Sequence, residues 1–494
     1  MIISQLPVLQ VILPLAAAPL CVILHHRILA WALTLLVSLI SLCFSYMLLN
    51  QVLIEDTITY AMGGWVAPWG IEYYIDKLTA YMLLIVNGIT VLVLLGAREI
   101  VESDIASDRI YLFYTAFLLN LTGLLGVITT GDAFNLFVFI EIASLSSYAM
   151  ISLGRDKRSL YAAFKYLIFG TVGASFILIS VGLLYVVTGT LNIADLSQQL
   201  TNTENTSTIT TAFVFFIIGI GIKAAIFPLH LWLPDAYTYS PSIVSTFLAG
   251  TTTKVFIYVL IRFIYSLYGY EFSFFTESFH YLLMLSASGA ILYGSYLAIK
   301  QDSLKRILAY SSIAQIGYMV LGIALITELG LMASLVHILN HAFIKVGLFL
   351  AVTAIIYSYN TDSIEKLAGI AKTSPFIFAL FIISGLSLIG APLTSGFISK
   401  WYLIKASLEA DYWIFVSIIV ISSVMAIIYI GRIIETAYFK PSAKQTATLD
   451  LDKKRPYLLF LSLVVISFIN IYFGIETSLN VDMASQIANE LINK

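Results

Sequence analysis

Lys223, Lys254, Lys345 and Lys400 all lie inside long apolar runs, and so do Glu141, His337 and His341. A charge in such surroundings costs on the order of a few kcal/mol unless it meets a partner, a bundle interior or water, so an ionisable group there marks an ion or proton path. His337, His341 and Lys345 follow one another at intervals of four and share one helix face, with Asn340 beside them. Imidazole titrates near neutral pH, so a stripe of this kind suits proton relay. Glu141, in "NLFVFIEIASLSSYAM", must be neutral, hydrogen-bonded or paired, and Lys223 is its natural partner. Pro228, shortly after Lys223 in "GIGIKAAIFPLHLWLPDA", removes a backbone donor and frees carbonyls one turn back, near Ala224. Freed carbonyls in a membrane need water or protein donors, which marks a wet pocket. Lys254 follows Thr251, Thr252 and Thr253, whose hydroxyls can bond the backbone or a water file, and Lys400 follows a second interruption at Pro392, with Ser395 and Ser399 close by.

Each group alone has a structural explanation. Glu141 can tie two helices together, and the His337–His341 pair could hold haem or a metal. That pair has no cysteine and no second histidine-bearing span to help it, so neither metal nor cofactor is expected. Taken together, the groups favour a conduction path in which Glu141, Lys223, Lys254, His337, His341, Lys345 and Lys400 carry protons, with Pro228 and Pro392 as helix breaks.

The elements that hold these groups must lie in lipid. The chain has 494 residues, is 60% hydrophobic and 11% charged, and has a mean hydropathy of +0.95. A soluble protein of this length needs several times more polar surface, so this is an integral membrane protein. The net charge of -2, without a basic patch, gives no reason to expect nucleic acid. Cys21 and Cys43 are too few for an iron-sulfur site or a disulfide frame, and no phosphate-loop pattern GxxxxGK[ST] occurs. With neither redox centre nor nucleotide engine in view, the chain is not expected to be an enzyme itself. The first apolar run, "LPVLQVILPLAAAPLCVIL", has no Lys or Arg before it and is read as a retained span rather than a cleaved signal.

About 20 apolar residues cross a bilayer core. Such runs give fourteen candidates, near 7–24, 28–50, 78–97, 110–129, 132–153, 160–187, 209–229, 241–263, 280–299, 304–326, 329–357, 374–407, 412–438 and 457–475. An even number puts both termini on one side. Alternate loops hold Arg27; Arg98 and Arg109; Arg155, Lys157 and Arg158; Lys300, Lys305 and Arg306; Lys366 and Lys372; and Lys440, Lys444, Lys453, Lys454 and Arg455. The opposite loops hold only Lys77, Arg262 and Lys494, so the termini are expected outside. Lys165, Arg432 and Lys405 lie toward the ends of their spans, where they could snorkel.

The expected fold is all-α, a polytopic membrane protein of about 14 transmembrane helices. Spans four to eight and nine to thirteen form two inverted five-helix repeats, with discontinuous seventh and twelfth helices, a common transporter plan. A short echo between "AAFKYLIFG" and "HAFIKVGLF", together with the paired breaks, supports the repeat. The expected division is a three-span segment over 1–109, the first repeat over 110–263, the second over 280–438, and a C-terminal loop, final span and tail over 439–494.

"KAAIFPLHLWLPDAYTYSPSIVSTFLAGTTTKVFIYVLIR" and "DSLKRILAYSSIAQIGYMVLGI" resemble the two signature blocks of the proton-conducting antiporter-like family, which includes the large membrane subunits of respiratory complex I, group 4 hydrogenases and Mrp-type sodium/proton antiporters. The likeness covers almost the whole chain. Within the family, "GDAFNLFVFIEIASLSSYAMISLGRDKRSLYAAFKYLIFG" looks most like the D-type branch of the Mrp antiporter subunits. The resemblance implies that Glu141, Lys223, Lys254, His341 and Lys400 match the family's functional positions on the fifth, seventh, eighth, eleventh and twelfth spans, while Lys345 and His337 share the eleventh-span stripe. It also implies a hydrophilic midplane axis, exchange of protons for Na+ or a related monovalent cation, and hetero-oligomeric assembly with other membrane subunits in a bacterial or archaeal cell membrane. The alternative within the family is a proton-pumping subunit of a respiratory NADH:quinone oxidoreductase or a group 4 hydrogenase.

Overall fold

The structure is a computed structural model that describes residues 3–201, 206–269, 272, 274–441 and 456–493. Lys444, Lys453, Lys454, Arg455 and Lys494, counted above among the loop charges, lie outside the described residues. The chain opens with α1 (Leu6–Leu24) and α2 (Arg27–Glu55), then a short antiparallel hairpin of β1 (Ile58–Ala61) and β2 (Glu72–Ile75) that pairs Ile58 with Ile75 and Ala61 with Glu72. Next come α3 (Lys77–Leu95), α4 (Ala97–Asp104), α5 (Ile110–Thr129), α6 (Ala133–Ser152), α7 (Arg158–Thr188) and α8 (Ile193–Thr201). The seventh span is α9 (Thr206–Lys223) followed by α10 (Leu233–Tyr239), and the eighth is α11 (Ser242–Gly250) followed by α12 (Thr252–Ile261). The second half has α13 (His280–Ile299), α14 (Leu304–Ala324), α15 (Glu328–Tyr359), α16 (Pro375–Ile389), α17 (Ser395–Glu409), α18 (Trp413–Tyr438), α19 (Tyr457–Ile475) and α20 (Ser478–Ile492).

Helix starts are set by local chemistry. The side chains of Asp76, Asp132 and Thr327 accept from Thr79 N at 2.9 Å, Asn135 N at 2.7 Å and Gly330 N at 3.1 Å, satisfying donors at the first turns of α3, α6 and α15. Twelve segments among the described residues are long and apolar enough to cross a membrane. Two shorter apolar helices, Ser207–Lys223 and Pro375–Ile389, are the first halves of the interrupted seventh and twelfth spans. All fourteen expected spans therefore have a helical counterpart, and the fold is the expected all-α polytopic one.

The eighth span is a third interrupted helix that sequence reading took as continuous. It kinks at Thr251 (φ -117°, ψ -62°), between α11 and α12. The C-terminal tail also differs from expectation: it contains α20, which packs on α15 and α3. Its Glu490 accepts from Lys77, and its Asn480 accepts from the Tyr81 hydroxyl at 2.7 Å. Near the start of the chain, Gln5 accepts from the Tyr60 hydroxyl at 2.6 Å. Both ends of the described chain thus meet on the face that carries the hairpin.

The core is graded. The spans built from α11 and α12, α14 and α15 are almost wholly buried, whereas α2 and α18 keep most of their apolar surface outside. Helices close in where small residues let them: a Cβ on Gly219 of α9 would stand 2.6 Å from the Gly173 carbonyl of α7, so only glycine admits this approach.

Candidate functional site

Lys223 is the last residue of α9, where carbonyls without helical partners favour a cation. Its Nζ lies 2.9 Å from Glu141 Oε1 and donates to Ser144 Oγ at 2.7 Å. The lysine side chain is 0% exposed and the glutamate 24%, so the pair sits at the edge of the bundle with its cation inward. The break that follows is closed from within, since Trp232 Nε1 donates to Ile222 O at 2.7 Å. The wet pocket expected here is thus partly replaced by an indole donor.

Lys400 repeats this arrangement without a carboxylate. Its Nζ donates to Leu388 O at 3.0 Å and Ile389 O at 2.8 Å, the final carbonyls of α16, and to Ser423 Oγ of α18 at 3.1 Å. It also lies 5.2 Å from the centroid of the Tyr318 ring, a cation–π contact. Gly390, in the left-handed region at φ 90°, turns the chain at this point and packs on the Lys400 side chain.

Between these two groups, Lys254 Nζ donates to the Ala249 carbonyl across the kink at Thr251. Gly250 brings that kink against α15: a Cβ there would stand 2.5 Å from Val346 Cγ2. Lys254 is thereby within electrostatic reach of Lys345 and His341. Lys345 donates to Leu308 O at 2.8 Å and to Ser311 Oγ of α14. The His337 and His341 rings are near-parallel, 5.7 Å apart, and His337 Nδ1 meets Ser399 Oγ at 2.8 Å. Tyr318 meets His337 edge-on at 5.6 Å, linking the stripe to Lys400. Asn340 donates to Ser395 O at 2.7 Å and accepts from Asn480 of α20 at 3.2 Å.

Lys254, Lys345, His341, His337 and Lys400 thus form one buried row, and Glu141 with Lys223 stands apart from it. Both ring nitrogens of His341, and Nε2 of His337, are buried without a hydrogen-bond partner. Buried polar atoms of this kind call for water or a transferable proton. Among the described residues no carboxylate pairs with Lys254, Lys345 or Lys400, and no cluster of three metal-ligating side chains occurs.

Other charges sit differently from what the sequence suggests. Lys165 and Arg432 do not reach for the surface alone: Lys165 pairs with Asp235 at 2.7 Å, and Arg432 pairs with Asp302 and donates to Ile299 O at 2.9 Å. Lys405 is exposed and lies 3.6 Å from Glu409. Lys305, counted as a loop charge, is buried and donates to Ser240 O at 2.7 Å. A second histidine-bearing span, unexpected from the sequence, does exist: His280 opens α13, is buried and meets Phe275 O through Nδ1 at 3.1 Å. Sequence reading missed the partners Ser144, Ser311, Tyr318 and Ser423, whose residue types carry no signal until the helices are packed.

It also missed a buried ion pair. Arg262 makes a two-pronged contact with Asp76, donates to Thr79 Oγ1 at 2.8 Å, and donates through Nε to the Tyr258 hydroxyl at 3.1 Å. Burial works against the Asp76 carboxylate, but the Arg262 guanidinium and the Thr79 donors outweigh it and hold the carboxyl below its usual range.

A helical membrane bundle with interrupted spans and a row of buried, mostly unpaired cations defines an ion-translocating class of protein. The chain belongs to the NADH:quinone oxidoreductase/Mrp antiporter membrane family, whose pattern it matches over residues 130–426. It is 40% identical over 447 residues to the N-type subunit of the NADH-quinone oxidoreductase of Desulforudis audaxviator, covering 88% of this chain and 87% of that one. It is 30% identical over 432 residues to the D-type subunit of the Na(+)/H(+) antiporter of Alkalihalophilus pseudofirmus, covering 87% and 86%. Among solved structures it resembles a chain of an archaeal membrane-bound sulfane sulfur reductase, with a TM-score of 0.90, 28% identity, and coverage of 99% and 98%.

Proposed function

We propose that this chain is the proton-translocating subunit of a multisubunit monovalent cation/proton antiporter of the Mrp type, and that protons pass along Lys223, Lys254, His341 with Lys345 and His337, and Lys400. Glu141 controls the first step: the closed pair holds a proton on Lys223, and its opening releases that proton toward the row. The observation that carries this reading is the buried row itself, in which three lysines have only carbonyls, hydroxyls and aromatic faces as partners and the histidines between them keep free ring nitrogens. In this reading spans four to eight and nine to thirteen act as inverted halves, over 110–263 and 280–438. The chain works beside other membrane subunits in a bacterial or archaeal cell membrane, with both termini outside. The test is cation-driven proton exchange in vesicles carrying the whole complex: Lys223→Ala and Lys400→Ala each abolish exchange while the complex still assembles. Full exchange in both variants rules the reading out.

A second reading is favoured by the 40% identity to an NADH-quinone oxidoreductase subunit. There the same row serves a complex in which quinone reduction elsewhere supplies the energy. Purification of the chain from its native membrane decides between them: iron-sulfur proteins in the preparation support the second reading, small antiporter subunits the first.

A further inference from the structure

A cavity of about 760 Å³ opens beside α12, on the face where both ends of the chain meet. Tyr258, Arg262, Asp76, Glu72, Tyr74 and Thr130 are among the residues that line it. Lys254, Tyr258 and Arg262 recur at intervals of four along α12 and its continuation, so they stack on one face, with Lys254 one turn deeper than Tyr258. The Tyr258 hydroxyl is buried, donates to Ile128 O at 2.7 Å, and lies 3.3 Å from Thr79 Oγ1. The Arg262–Asp76 pair lines the cavity beside it and joins the continuation of α12 to the start of α3. A buried two-pronged ion pair is an expensive way to join two helices, and an aliphatic contact of the same volume does as well or better. Its place in the wall of a cavity, one turn from Tyr258 and two turns from Lys254, gives it a use.

We propose that the cavity is the vestibule of a proton path to Lys254, with Tyr258 as the relay and the Asp76–Arg262 pair as the latch that closes it. The inference rests on the reading of Lys254 as a proton carrier. When Arg262 swings away from Asp76, the Tyr258 hydroxyl turns from Ile128 O toward Lys254. A hydronium ion in the vestibule gives its proton to the phenol oxygen as the phenol's own O–H breaks and its proton binds the neutral Lys254 amine. One proton enters, one leaves, and the phenol is regenerated. With the pair closed, Arg262 Nε donates to the phenol oxygen and occupies the place a hydronium ion would need.

Two measurements on vesicles carrying the whole complex test this. Tyr258→Phe keeps the ring and its packing and removes the hydroxyl, and with it the transferable proton, the bond to Ile128 O and the acceptor for Arg262 Nε; cation-driven exchange is expected to fall at least tenfold at unchanged complex abundance. Exchange at the wild-type rate overturns the relay. The second measurement does not depend on turnover. Cys21 and Cys43 are replaced by alanine, Thr79→Cys is introduced, and a charged, membrane-impermeant thiosulfonate is applied from either side. Asp76→Asn with Arg262→Gln, which removes both charges and leaves neither buried alone, is expected to speed labelling at least tenfold from the termini-bearing face only. Unchanged labelling, or faster labelling from the other face, overturns the latch. Loss of exchange in Lys400→Ala alongside normal exchange in Tyr258→Phe removes this route and leaves the proposed function standing; full exchange in both Lys223→Ala and Lys400→Ala removes the function itself.

Discussion

Replacing Glu141 with glutamine keeps the shape of the side chain and one acceptor oxygen while removing the charge that faces Lys223. At the 2.9 Å separation of this pair, Coulomb's law with an effective dielectric constant of about 20 gives roughly 6 kcal/mol. The glutamate is 24% exposed, which lets the surroundings screen it; we take about half as surviving, roughly 3 kcal/mol. A step that depends on the closed pair should then slow by about two orders of magnitude. The lysine has no exposure and, among the described residues, only the Ser144 hydroxyl as its other partner, so little in the site replaces the lost charge. Lys223→Met is expected to lower exchange similarly, because it removes the carrier itself. The double variant should be no slower than the slower single one, since both changes remove a single unit of function. The assay is cation-driven proton movement in vesicles, normalised to the assembled complex. Multiplying losses in the double variant, or near-normal exchange in Glu141→Gln, would show that the pair is only a helix tie.

Four further outcomes follow from the geometry. Gly250→Val forces a branched side chain against Val346 and Ile89, at a cost of about 1–3 kcal/mol; exchange should fall, and Val346→Ala in the same chain should restore part of it. Tyr318→Leu removes the cation–π partner of Lys400 and should lower exchange about tenfold, whereas Tyr318→Phe keeps the ring and should stay within about twofold of wild type. Asn480→Ala leaves the Asn340 carbonyl oxygen without its Asn480 donor and the Tyr81 hydroxyl with the longer bond to Leu335 O at 3.2 Å and should destabilise the complex in detergent by about 1–3 kcal/mol, read as a lower melting temperature. Asp76 has a depressed folded-state value, so its contribution to stability is complete above the ordinary aspartate value of about 4 and is lost as pH falls through the depressed folded-state value. The melting gap between wild type and Asp76→Asn should therefore be full at neutral pH and close on acidification; a gap that widens in acid contradicts the assignment.

The spans were legible because hydropathy writes them directly, and Pro228 and Pro392 announced two of the breaks. The third break was harder, since "LAGTTTK" contains no proline; the kink at Thr251 forms where Lys254 caps the Ala249 carbonyl in place of a backbone donor. Lys165 illustrates what one-dimensional depth leaves out. It lies near a span end and could have reached water, yet Asp235, seventy residues later, comes within 2.7 Å. The Asp76–Arg262 pair was hidden for a related reason. Arg262 reads as a loop charge, and only the approach of the continuation of α12 to the start of α3 joins it to Asp76. The polar partners of the lysines are serines and tyrosines of ordinary helices, and tertiary contact alone distinguishes them from dozens like them.

The two half-helix ends carry one further consequence. At the end of α9 the positive charge faces a side-chain carboxylate, whereas at the end of α16 it faces peptide carbonyls and a hydroxyl. Replacing one side chain can therefore remove the balancing charge at the end of α9, and no such replacement exists for the end of α16. The two half-helix ends are alike in shape and different in what a single substitution can reach.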